Sequence, residues 1–173
     1  MGALPVVGHE LIHLDRGTSM WVAITRLAAP EADDPATIAA LIASPGYADD
    51  YISPPGLTPD SVDEASVHGR WWLTAITVDG FTPTTADAAI ERIRTWVDDQ
   101  PWTDPDYRQP PDVFERLEIA FEALRSGTIY ALANPGEEHE HEYGMAVGSM
   151  GFHEFVVIDR VQRIVSVIVA ADD

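Results

Sequence analysis

Residues 152–171 read FHEFVVIDRVQRIVSVIVAA, and this stretch decides the fold. Two runs rich in Val, Ile and Phe, Phe152–Ile158 and Arg163–Ala171, flank Asp159-Arg160-Val161-Gln162. That arrangement predicts a hairpin between two long strands. Val167, Ile168 and Val169 follow one another without polar alternation, as expected of a strand covered on both faces or central in a sheet.

Working outward, Ser19–Leu27, Gly69–Val78 and Thr128–Ala133 are further β-rich segments. Three helices carry start signals. Asp34 before Pro35 supplies an N-cap and a preorganised first position, with Ile38, Leu41 and Ile42 as the apolar stripe. Thr84 with Asp87 resembles a capping box and opens a helix with Ala86, Ile90, Ile93 and Val97 on one face. Asp112 with Glu115 has the same spacing, followed by Val113, Leu117, Ala120, Phe121 and Leu124, and Gly127 stands where a left-handed C-cap is wanted. The element order predicts one α+β domain over residues 1–173. It would have a largely antiparallel sheet of about five to six strands and three helices packed on one face. No Gly-rich turn follows the first strand, so a dinucleotide-binding unit is not expected.

The chain has 173 residues, 46% apolar, and a net charge of −19 from 29 acidic and ten basic residues. All ten basic residues are Arg, which excludes Schiff-base chemistry and a phosphate-loop Lys. So acidic a surface repels nucleic-acid backbones and anionic lipids, and neither is an expected partner. Cysteine is absent, so thiolate nucleophiles and zinc–thiolate sites are too. The longest apolar stretch, Ile164–Ala171, is interrupted by Ser166 and is too short to span a bilayer. The start Met1-Gly2-Ala3-Leu4-Pro5 lacks the basic region of a signal peptide, and a cytoplasmic location is the expectation.

His9-Glu10-Leu11-Ile12-His13 matches H-E-x-x-H and so resembles the zinc metallopeptidases. On a helix, His9 and His13 would lie one turn apart as zinc ligands, with Glu10 as general base. The competing and preferred reading is a hairpin, with Val6–Asp15 pairing to Thr18–Leu27 around Arg16-Gly17. In a strand the two His lie about 13 Å apart, too far for one metal. Glu137–Glu142 reads EEHEHE, and its His139 and His141 are similar to the H-x-H of cupins, without the Glu expected shortly after. A solvated acidic loop is the preferred reading there. In the zinc reading, His139, His141, Glu142 or His153 would supply the third ligand. Gly144, Gly148 and Gly151 suit a turn or a close backbone approach better than a phosphate cradle. Trp71 and Trp72 are neighbours in a strand, so at most one of them can join Trp21 in a core.

Ser44–Asp63 and Asp98–Asp112 combine Pro, Asp and aromatic residues, Tyr47 among them. Carboxylates steer a basic protein and flat rings anchor it. The first functional expectation is therefore a non-enzymatic, immunity- or inhibitor-like protein that captures a basic protein partner and needs no cofactor. Asp49, Asp50, Asp98, Asp99, Asp104 and Asp106 would steer, and Tyr51, Trp102 and Tyr107 would anchor. The alternatives are a zinc-dependent hydrolase built on residues 9–13, and a small-molecule-binding domain. A cavity lined by Trp21, Trp71 or Trp72 would favour the last.

Overall fold

The computed structural model describes residues 2–14, 19–51, 64–98, 106 and 108–173. The hairpin expected at the C-terminal end is present: β7 (His153–Asp159) pairs antiparallel with β8 (Ile164–Asp172). Asp159 Oδ1 accepts the Val161 and Gln162 N–H groups, which folds the loop back on itself. Around this hairpin stand β1 (Val6–His13), β2 (Met20–Ala28), β5 (Phe81–Thr84) and β6 (Thr128–Leu132). The sheet order is β1-β2-β8-β7-β6-β5, and every neighbouring pair is antiparallel. β8 is central, as its unbroken Val-Ile-Val run predicts. Edge strand β5 contains Pro83, which lacks the N–H that a central strand must donate. A second, two-stranded sheet pairs β3 (Val67–His68) with β4 (Trp71–Trp72).

The α+β class, the antiparallel sheet and the three helices agree with the sequence reading; the packing of all three helices on one face does not. Helices α2 (Ala86–Asp98) and α3 (Pro111–Leu124) cover the face that carries Val22, Ile24, Phe155, Val157 and Ile168. Helix α1 (Asp34–Ile42) lies on the other face, with Trp21, Val156, Ile158, Val165, Val167 and Val169. The reason lies in the strands themselves. β7 and β8 are apolar at alternate positions on both sides, and each side chain withdrawn from water contributes roughly 1.5–3 kcal/mol. One helical layer would leave half of them wet. Irregular chain completes the second layer: Tyr47, Tyr51, Ile76 and Val147 join α1 there.

Local signals are displaced by a residue or so. The N-cap of α1 is Asp33, whose Oδ1 accepts the Ala36 N–H at 2.9 Å, so Asp34 and Pro35 begin the helix proper. Thr85 rather than Thr84 caps α2, through the Ala88 N–H. The segment 69–78 is not one strand. A two-residue turn at Gly69-Arg70, with Gly69 at φ +55°, and two 3-10 turns divide it. Gly127 is not a left-handed cap either. Its role is close approach, because a Cβ there would overlap the Ile158 carbonyl and lie 2.9 Å from the Asp159 nitrogen. Replacing Gly127 with Ala should therefore cost about 1–3 kcal/mol in denaturant unfolding, where an unconstrained loop glycine would give a neutral or stabilising change.

Candidate functional site

The segment HELIH forms strand β1, with His9 opposite Thr25 and His13 opposite Trp21. The hairpin reading holds for the strands; the turn at Arg16-Gly17 lies outside the described residues. The zincin geometry is accordingly corrected, since consecutive side chains of a strand alternate faces. His9 Nδ1 is 3.1 Å from Thr25 Oγ1, and Glu10 pairs with Arg26 at 3.2 Å. The other proposed ligands are elsewhere. His139 is exposed beside Glu138, and His153 points to the sheet face opposite His9 and His13. His141 is buried and spent, its Nε2–H donating to the Gly69 carbonyl while Nδ1 accepts the Tyr143 N–H. Among the described residues no three His, Asp or Glu side chains converge on a metal position.

The two acidic aromatic segments do not form one patch among the described residues. Tyr51 is 7% exposed and Asp50 6%, so that ring and that carboxylate face inward, as does Tyr47. Asp49 Oδ1 accepts the Tyr51 N–H. Burial raises the Asp49 carboxyl above the ordinary range; the Tyr51 N–H lowers it, the Asp50 charge raises it, and His68 and His9 lower it. Asp98 and Asp106 are exposed, with Asp98 ending α2 on the opposite face of the sheet from Tyr51. Tyr51 as an exposed anchor is thus corrected: the second apolar layer claims the ring. Asp99, Trp102, Asp104 and Tyr107 lie outside the described residues.

What the structure assembles instead is a buried polar set that sequence reading missed. Glu154 projects from β7 into the second layer with its side chain wholly buried. Its Oε1 accepts the Tyr47 hydroxyl at 2.8 Å, and its Oε2 is hydrogen-bonded to His68 Nε2 at 2.7 Å. His68 Nδ1 is 2.5 Å from the Tyr47 carbonyl, which can only accept, so that nitrogen carries a proton. The Tyr47 and His68 rings stack at 3.8 Å, with Tyr51 edge-on at 5.3 Å. Burial, and then the Glu154 charge, drive the Tyr47 phenol well above its ordinary range, so it stays a donor. One signal was available: a carboxylate inside a doubly covered strand needs dedicated partners.

His68 opens the β3–β4 turn, and that turn forms one wall of a cleft of about 320 Å³. Arg70 and Trp71 line it from the turn, Arg92 from α2, Asn134 from beyond β6, and Phe152 and His153 from the start of β7. Arg70 is fixed by Glu140 at 2.6 Å and by the Gly148 carbonyl at 2.9 Å. Asp172 holds the adjoining loop by accepting from Ser149 Oγ and the Met150 N–H, and it also accepts the Trp96 indole N–H. Trp71 is 4% exposed whereas its neighbour Trp72 is 39% exposed, as strand alternation predicts. Two donors are left over: Trp71 Nε1 and Arg70 Nε are buried with no acceptor among the described residues. No family model matches this chain, and no curated protein or solved structure matches it either. The cleft's chemistry has to be read from its own atoms.

Burial, reinforced by the Arg92 charge and opposed by Asp172, lowers the His153 imidazole to about 4. Between pH 4 and 6.5 the unfolded chain therefore binds a proton that the folded protein refuses, and stability rises with pH across that window. As pH falls from 6.5 to 4, the protein should lose about 3 kcal/mol relative to His153→Gln, by denaturant unfolding at each pH. Parallel curves for the two proteins would contradict that assignment.

Proposed function

We propose that this chain is a small-molecule-binding domain whose ligand occupies the cleft beside Trp71. The observation that carries this reading is the Trp71 indole N–H, buried at the cleft and without an acceptor among the described residues. Leaving a buried donor unpaired costs about 1–3 kcal/mol, and native proteins rarely tolerate it where nothing fills the need. The N–H itself is closed off in the wall, so a ligand that brings an acceptor recovers this energy by turning the indole edge toward the cleft. A cavity lined by Trp71 is also the feature that favours the small-molecule reading over capture of a basic protein, since Tyr51, the one named anchor among the described residues, is turned inward.

Binding without catalysis is part of the proposal. The Tyr47–Glu154–His68 set has the composition of acid–base machinery, but its His and Glu side chains have no accessible surface. Each of its polar side-chain atoms is already engaged within the set. General acid–base work needs a group within hydrogen-bond reach of the substrate. In this reading the set supports the cleft wall.

A fragment screen by heteronuclear NMR tests the proposal. Ligands should shift the Trp71 indole N–H resonance, and Trp71→Phe, which keeps the ring and removes the donor, should weaken them about tenfold. A screen whose hits all leave the Trp71 indole unmoved would overturn it.

A further inference from the structure

We infer that the cleft takes the charged end of a small organic anion with one anionic group, a carboxylate or a phosphate monoester, with its apolar body lying over Trp96 and Met150. This inference rests on the reading of the cleft as a ligand site and names the class of ligand.

The first argument is donor chemistry. Both unpartnered groups at the cleft, Trp71 Nε1 and Arg70 Nε, are N–H donors, and neither can accept. Their missing partner must be an acceptor. A charged acceptor is preferred, because hydrogen bonds to an ionised oxygen are roughly twice as strong as neutral ones. Asn134 lines the same cleft and adds an amide that can donate.

Charge gives the second argument. Acidic residues outnumber basic ones 29 to ten, so a guanidinium without a carboxylate partner beside a cleft is a place where a ligand anion can be held. Arg70 is matched by Glu140. Arg92 lines the cleft, lies 5.8 Å over the Phe155 ring, and has no carboxylate partner among the ion pairs of the described residues. Glu154 also lines the cleft, but its carboxylate is buried and occupied by Tyr47 and His68. Arg92 therefore offers the cleft a guanidinium that no carboxylate of the described residues pairs with, and a single anionic group can pair with it.

The third argument is the adjoining space. A depression of about 550 Å³ shares Arg92 and His153 with the cleft and continues over Ala88, Thr95, Trp96 and Met150. Its lining suits a hydrocarbon or ring. Glu91 also lines it and disfavours a second anionic group at that end, so the ligand has one charged group, held at Arg92 and Trp71.

Titration of the protein with hexanoate, hexyl phosphate, hexan-1-ol and acetate, followed by the Trp71 indole N–H resonance, tests this. Hexanoate or hexyl phosphate should bind at least about tenfold tighter than hexan-1-ol and acetate. Whichever binds identifies the oxyanion. Arg92→Met keeps the side-chain stem over Phe155 and removes the charge; it should abolish the tenfold preference over hexan-1-ol. Equal affinity for hexan-1-ol and hexanoate, both moving Trp71, would overturn the anion and leave the ligand cleft standing. No movement of Trp71 by any probe at about 10 mM would overturn the anion as well, and the fragment screen then decides separately whether the cleft binds ligands.

Discussion

A carboxylate with no accessible surface sets the terms for half of this molecule. Glu154 stands in a strand that continues as Phe155-Val156-Val157-Ile158, and its charge cannot be withdrawn from water without close compensation. Tyr47 and His68 provide it from two remote parts of the chain, residues 107 and 86 positions away. Among the described residues the second layer over the sheet has one helix, so it depends on such contacts more than the layer formed by α2 and α3 does. Stacking of Tyr47 on His68 and the bond from His68 to the Tyr47 carbonyl close the set on itself.

The cleft follows from that constraint. With His68 fixed, the turn at Gly69-Arg70 must project from the second layer beside the first residues of β7. Gly69 permits this twice over, through its φ of +55° and because a Cβ would run into the Phe152 ring. Bonds from His141 to Gly69 and from Arg70 to Glu140 and Gly148 then hold the turn. The unpaired donors of Arg70 and Trp71 thus sit on a braced wall. A preorganised site of this kind spends little ordering entropy when a ligand arrives.

Much of the architecture was legible in the sequence because it rests on periodicity. The β7–β8 hairpin, the buried faces of α2 and α3, and the separate fates of Trp71 and Trp72 all follow from spacing. The second layer does not. Trp71, Trp72 and Ile76 have high β-propensity, yet the turn at Gly69-Arg70 and two 3-10 turns break the segment, a case of tertiary packing overriding a local preference. β5 was hidden by Pro83, which is tolerated only because the strand is an edge. Tyr47 and Tyr51 looked like exposed loop aromatics, but the apolar side of β7 and β8 needs them as cover. The cleft gathers residues 70, 92, 134 and 153, and no local pattern joins positions so far apart.

The account rests on Glu154 and His68 acting as one buried unit, and a double-mutant cycle measures that directly. Denaturant unfolding of wild type, His68→Leu, Glu154→Leu and the double variant gives the coupling free energy. Each single change should cost about 3–5 kcal/mol by stranding its partner, and the double should cost no more than either alone. Single costs that add in the double variant to within about 0.5 kcal/mol would contradict the account.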